Sequence, residues 1–492
     1  MSGRYVIGID QSTQGTKALL FDKSGVLMCR VDMPHKQIIN DLGWVSHDPE
    51  EIYENTISAV RGVLAKANVS PELVASIGIS NQRETSLIWD KATGKPLNHA
   101  VVWQCSRAVK ICERAEIKKE ADYIFETTGI KLSPYFPAAK IAWLLENTMG
   151  AERLASEGNI CHGTVDSYLV YRLTKGKTYA TDYSNASRTQ LFDIFNLKWD
   201  EKICGLFGID SKNMPEVKYS DECFGYTDLE GIFSEEIPIH GVMGDSHAAL
   251  FGQNCCENGQ TKATYGTGSS IMMNIGEKPT LSKNGLVTSL AWGRNGKVQY
   301  VLEGNLNYTG AVITWLKDGL GLIESAAQTQ ELAMKAVKDD ELYLVPAFSG
   351  LGAPYWNAHA KASIVGMDRT TGKAEFARAA LECIAYQITD IVKAMSEDSG
   401  VKLSELRVDG GPTRNEYLMQ FQSDIAGCSV LVPNQEELSG IGAAYMSGIA
   451  VGLWDDSILT KMKRTVHEAK MDESTARVKY EGWKKAVAKV NE

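Results

Sequence analysis

No apolar run in this 492-residue chain approaches the length of a membrane span. The opening MSGRYVIGID also lacks the zones of a secretory leader. Neither a C-x-x-C nor a histidine cluster at zinc spacing occurs. The ten cysteines, at positions 29, 105, 112, 161, 204, 223, 255, 256, 383 and 428, are scattered, so free thiols are expected, with a redox or metal role at Cys255–Cys256 as the minority alternative. Basic runs are missing, and a net charge of −10 argues against non-specific nucleic-acid binding. Such a surface does not steer anions inward, so a nucleotide site would need local amides, Lys, Arg or a metal. The Walker pattern G-x-x-x-x-G-K-[ST] is absent as well. What is left is an ordinary globular composition, 44% hydrophobic and 23% charged, in a chain longer than one core usually supports, which predicts two or three domains.

Near the N-terminus, YVIGIDQSTQGTKALLFD reads as two adjacent strands with Asp10 closing the first and a turn rich in hydroxyls and amides ending at Lys17. Ser12, Thr13, Gln14, Gly15 and Thr16 suit either a plain hairpin or a nest that admits an anion. The stretch TKATYGTGSSIMMNI repeats the device in the second half of the chain, with its turn at Gly266–Ser270. Two such turns predict two related domains facing one another across a cleft, with the boundary near residues 250–256.

PEEIYENTISAVRGVLAKA predicts an amphipathic helix capped by Asp48, and GKAEFARAALECIAYQITDIVKAMSEDSG a long one ending at Gly400. LRVDGGPTRNEYLMQFQSDIAG reads as strand, Gly–Gly turn and helix, whose N-terminus suits a nucleotide. From His467 onward the charged stretch reads as a surface helix. Arg83 and Glu84, between two strand-like runs, are either an ion pair on a solvated strand end or ligand-holding groups. Trp103 suits the core or a platform for a polyol's carbon face. Asp245, after Gly244, is either a bare N-cap or a carboxylate placed to take a proton from an attacking hydroxyl.

YFPAAKIAWLLEN (Tyr135–Asn147) and GGPTRNEYLMQFQSDIAG resemble the two signature regions of the FGGY carbohydrate kinases. Through SNQRETSLIWDKATGKP, TDYSNASRTQLFDI, TYGTG, LVPAFSGLGAPYW and VDGG the chain is most similar to the glycerol kinase branch, essentially end to end. The resemblance implies a two-domain α/β fold of the actin-like, ribonuclease H-like type with a catalytic cleft. Residues 1–252 would carry the polyol site and first phosphate loop, and residues 253–492 the second loop and the adenine nucleotide. It implies transfer of the γ-phosphate of ATP, with Mg²⁺, to a primary hydroxyl of a small polyol or ketose. Asp245 would be the base. Arg83, Glu84, Trp103, Tyr135, Asp245 and Ser246 would surround the substrate. Ser12, Thr13, Gln14, Lys17, Gly266, Thr267, Gly310, Gly411 and Asn415 would form the nucleotide site, and Asp10 would position Mg²⁺ through water. The expected setting is cytoplasmic, as a homodimer or homotetramer with no nucleic-acid or membrane partner.

The chain departs from the glycerol kinase pattern at Ser246 and His247, where GDQQ is usual, and at Ser270, where an aromatic is usual. Its first loop looks more like the pentulose kinase form, and Thr314 replaces a Gln near the adenine. Losing an aromatic wall leaves room, so a four- or five-carbon polyol or ketose is expected, with glycerol as the other candidate. The alternatives are a pentulose kinase such as xylulokinase within the family, or a catalytically inactive sugar sensor on the same fold. Retention of Asp10 and Asp245 weighs against the sensor.

Overall fold

The computed structural model describes residues 4–337 and 342–491. Two mixed sheets organise them. In the first, strands lie in the spatial order 226–227, 237–244, 74–81, 5–11, 15–21 and 27–34. Tyr5–Gln11 pairs antiparallel with Gly15–Phe21 and parallel with Val74–Asn81, which is parallel to Ile237–Gly244. The second sheet repeats the plan: Gln260–Tyr265 pairs antiparallel with Ser269–Gly276 and parallel with Glu405–Asp409, which is parallel to Ser429–Pro433. The similarity of the two glycine- and hydroxyl-rich turns therefore reflects a repeat of topology. Their central strands are apolar on both faces because helices cover them.

Pro49–Ala67 forms as its pattern predicts, burying Ile52, Thr56, Val60 and Val63 at helical spacing. Asp48 accepts from the Glu50 amide at 3.0 Å, and Asn68 ends the helix in the left-handed region. Each fully buried Ile or Val contributes about 1.5–3 kcal/mol, which outweighs the modest helix propensity of β-branched residues. Lys373–Ser399 is the long helix of the second unit, with Gly400 left-handed after it.

Helices Asp245–Gly252 and Leu438–Ala450 lie against the first sheet and against each other. A Cβ at Gly78 would stand 2.2 Å from the Ala443 carbonyl oxygen, and one at Gly8 2.5 Å from that of Gly440. Backbone thus touches backbone, which only glycine permits. An apolar cluster at this junction takes Val6, Leu19 and Phe21 from the first sheet and Met272, Trp292 and Val301 from the second.

The C-terminal segment differs from the expected surface helix. His467 ends a strand, and the helix Glu473–Asn491 buries Tyr480, Trp483, Ala486 and Val487. Its amphipathic spacing was masked by the lysines around it. Among the described residues no helix is long and apolar enough to cross a membrane, and all ten cysteines are free.

Candidate active site

Both glycine-rich turns close hairpins. In the first, the Ser12 amide and hydroxyl donate to the Gly15 carbonyl at 2.8 and 3.0 Å. Thr13 Oγ1 accepts from Trp103 Nε1 at 2.9 Å, while Gln14 is exposed. Asp10 lies in register with Lys17 on one side and Ser80 on the other; Ser80 Oγ donates to its Oδ1 at 3.1 Å. Lys17 Nζ reaches Glu437 Oε2 at 2.8 Å, bridging the first hairpin to the start of Leu438–Ala450.

In the second turn, the Gly310 amide donates to the Gly266 carbonyl at 2.9 Å, and the Thr309 and Ala311 amides to that of Thr267 at 3.0 Å. A Cβ at Gly310 would come within 2.6 Å of the Gly266 oxygen, so the helix start and the turn interlock. Gly410, at φ +100°, would place a Cβ 1.9 Å from the Tyr265 oxygen. This position combines a left-handed backbone with a backbone clash, and only glycine fits. Asn415 caps Glu416–Ala426 by accepting from the Leu418 amide at 3.0 Å.

The strand Val74–Asn81 leaves the first sheet through Gln82–Thr85 and enters a smaller one at Ser86–Asp90. Glu84 turns the corner at φ +57°. This corner carries Arg83 and Glu84, and both are buried. The solvated Arg83–Glu84 pair considered from the sequence does not exist. Arg83 instead bonds Glu303 through both terminal nitrogens, at 3.0 and 2.9 Å, and its Nε lies 3.1 Å from Asp245 Oδ1. Glu84 accepts from Arg188 Nε at 2.7 Å, and Arg188 Nη1 reaches Glu303 at 2.6 Å. Trp103 and Tyr135 meet edge to face with centroids 5.7 Å apart.

Asp245 is not the N-cap; Gly244 is, and Asp245 opens the helix that follows. Its carboxylate is 35% exposed, accepting from the Ser246 amide at 2.6 Å. It faces a cavity of about 390 Å³ lined also by Asp10, Lys17, Ser246, Lys262, Asp409 and Gly411. A second cavity, of about 620 Å³, is lined by Gly310, Thr314, Ile384, Gly411, Asn415 and Leu418. The two share Gly411 and Arg414. Ser12, Thr13, Gln14, Gly266 and Thr267 line neither, so both turns stand beside the cavities in this arrangement.

The sequence reading missed Glu303, Arg188, Lys262, Asp409 and Glu437. Lys262 and Glu303 carried a signal: each is a charge inside an apolar strand, and a buried charge demands partners. Glu303 is fully buried, and Arg188 with Arg83 holds its carboxyl well below the ordinary range against the burial that would raise it. Burial pushes the Asp10 carboxyl up to about 6, with Lys17 opposing and Asp245 reinforcing. A cation nearby would relieve that cost. Among the described residues no cluster of three or more His, Cys, Asp or Glu forms a metal cage. Asp10, a carboxylate facing the cavity, fits an ion that would keep waters and phosphate oxygens as its other ligands, as Mg²⁺ does.

Beneath the corner, Lys140 Nζ donates to the Glu84 carbonyl at 3.3 Å and to the Tyr135 carbonyl. Burial drives its pKa from 10.5 down to about 7. Between those values the unfolded chain binds a proton that the folded chain does not, so this group makes stability rise with pH across the window and withdraws that contribution as pH falls to about 7. Lys140→Met is expected to flatten the pH dependence of the unfolding midpoint over that range, measured by thermal denaturation in a buffer series. An unchanged slope would show that Lys140 titrates normally.

The N-terminal and C-terminal domain models of the FGGY family of carbohydrate kinases match residues 5–252 and 261–451. The chain is 48% identical over 491 residues to glycerol kinase 1 of Thermotoga maritima, covering 99% of each. It is 47% identical to the glycerol kinase of Caldanaerobacter subterraneus, covering 98% of each. The crystal structure of Plasmodium falciparum glycerol kinase with ADP superposes with a TM-score of 0.93 at 36% identity, over 99% of this chain and 98% of that one. The gluconate kinase of Lactobacillus acidophilus, at 21% identity and a TM-score of 0.89, shares the fold.

Proposed function

Because the chain belongs to the FGGY family of carbohydrate kinases, an actin-like two-domain fold that transfers phosphate from ATP, we propose that it phosphorylates a primary hydroxyl of a small polyol held beside Arg83 and Asp245. The observation that carries this reading is the Arg83 guanidinium, buried and fixed between Asp245 and Glu303. Its donors and the adjacent carboxylate form a preorganised hydrogen-bonding wall for vicinal hydroxyls, with Trp103 and Tyr135 offering the apolar one. Asp245 takes the proton of the attacking hydroxyl, and Glu84 orients the chain of carbons. Lys17, Thr13, Thr267 and the Gly310–Gly411–Asn415 cavity receive the nucleotide, with residues 1–252 and 253–492 as the two domains.

Asp10 would hold Mg²⁺ through water, and the ion would supply positive charge against the triphosphate. The chain itself positions the acceptor, withholds water and accepts the proton. Free thiols throughout support a reducing, cytoplasmic setting.

Glycerol is the reference substrate. Ser270, however, stands 3.5 Å from Glu303 in place of a bulkier side chain, and Ser246 lines the cavity; both favour a longer acceptor. A panel of glycerol, tetritols, pentitols and ketopentoses, read by coupled ADP release, tests this. A four- or five-carbon compound is expected to match or exceed glycerol in kcat/KM. Preference for glycerol over all of them by more than about tenfold, the scale of one methylene in a fitted pocket, would refute the larger pocket.

A further inference from the structure

Among the described residues, the cations that line the 390 Å³ cavity beside Lys262 are matched to carboxylates, Lys17 to Glu437 and Arg414 to Glu436. Arg83 and Arg188 share Glu303. Lys262, on the strand Gln260–Tyr265, is 1% exposed, yet it lines the 390 Å³ cavity with Asp10, Asp245 and Asp409. Its Nζ donates to Thr264 Oγ1 at 2.9 Å, two residues along on the same face. Among the described residues no carboxylate comes within ion-pair distance of it. An ammonium has three donors, so two remain for the cavity.

Its surroundings explain how such a charge is kept in place. Thr264 pairs in register with Asp409 on the neighbouring parallel strand, and Gln253 Nε2 donates to Asp409 Oδ2 at 3.3 Å. Asp409 therefore takes its direct hydrogen bonds from neutral groups, while the Lys262 ammonium attracts it from beyond ion-pair distance. Across the sheet, Lys262 lies opposite Met272, which lies opposite Glu303, so the row leads to the carboxylate that anchors Arg83. Burial pulls the Lys262 pKa down, and Asp409, Asp245 and Glu303 oppose that pull against Arg83. A buried cation without a salt bridge is unfavourable unless an anion arrives.

We propose that Lys262 is a catalytic residue, whose ammonium binds non-bridging oxygens of the phosphoryl group in transit to the acceptor held at Asp245. The inference rests on the kinase reading above. In the step, the bond from the γ-phosphorus to the oxygen bridging the β-phosphate breaks, and its electron pair leaves with ADP. The acceptor oxygen bonds to the phosphorus, and its proton passes to the Asp245 carboxylate. Charge on the phosphoryl oxygens is stabilised by a cation already in place, with no reorganisation during transfer.

Lys262→Met and Lys262→Arg in the full chain test it through polyol-dependent ADP release, calorimetric ADP affinity, the thermal midpoint, and formation of a complex with ADP, polyol and aluminium fluoride, which mimics the group in flight. For K262M, kcat is expected to fall about 10²–10³-fold, with polyol KM and ADP affinity kept and the fluoride complex lost. K262R is expected to recover part of the rate. A K262M kcat within about threefold of wild type, small against that loss, overturns the proposal; so does a fall in ADP affinity and midpoint that parallels kcat. Should K262M not fold, Thr264→Val, which removes the anchor, must lower kcat with ADP affinity kept, or the proposal is wrong. Wild-type protein that releases no ADP in response to any polyol would instead overturn the kinase reading, an outcome distinct from an active wild type with an indifferent K262M.

Discussion

Replacing Asp245 with Asn is expected to lower kcat by roughly 10²–10⁴-fold, the range that general-base assistance contributes, while nucleotide affinity is kept. The exchange is nearly isosteric. An amide oxygen can still face Arg83 Nε, which lies 3.1 Å from Asp245 Oδ1, but an amide cannot accept the proton of the acceptor hydroxyl. The fold should survive, because Asp245 is not the N-cap, an amide oxygen can still accept from the Ser246 amide, and the side chain is partly solvated. The lost interaction of a negative charge with the helix N-terminus is worth about 0.3–1 kcal/mol. Coupled ADP release measures the rate, and calorimetry with ADP checks that the nucleotide site is intact. Turnover at wild-type level would remove Asp245 as the base and send the search to another carboxylate in the cavity.

Glu303→Gln is expected to be the most damaging change to stability in the cleft. Glu303 is fully buried and holds two guanidiniums, Arg83 at 2.9 Å and Arg188 at 2.6 Å. Removing its charge leaves each arginine with one carboxylate partner, Asp245 or Glu84. Breaking a buried pair on one side costs on the order of 3–5 kcal/mol, because the remaining charges stay out of water. Thermal or denaturant unfolding measures this loss, and a midpoint equal to wild type would show that the network is energetically idle. The pH dependence has a defined sign. The Glu303 carboxyl is held below its ordinary value, so its stabilisation is present above that value and is lost as pH falls toward the depressed one. Acid should therefore destabilise the wild type more steeply than the variant. Activity should fall too, since Arg83 would lose the anchor that aims it at Asp245.

Much of this molecule was legible along the chain. The two strand–turn–strand devices, the helices at Pro49–Ala67 and Lys373–Ser399, and the cap residues Asp48 and Gly400 all follow from local rules. Alternation, helical spacing and turn chemistry act over a few residues, and the structure realises them where the sequence placed them. The motifs also marked Asp10, Asp245, Gly310, Gly411 and Asn415, which the fold brings to the walls of two adjoining cavities.

Partnership was not legible. Arg83 meets Glu303 across 220 residues, Arg188 meets it across 115, and Glu84 meets Arg188 across 104. Nothing local distinguishes these side chains from a solvated ion pair. Only the stacking of one sheet's corner on another sheet's face removes the water and makes each charge dependent on the next. The sequence by itself determined where strands, turns and helices form and which residue types reach the cleft. The tertiary structure alone decided which charges are satisfied by one another and which, like Lys262, face the cavity with no carboxylate at ion-pair distance, because desolvation is a property of the assembled cleft and of no segment within it.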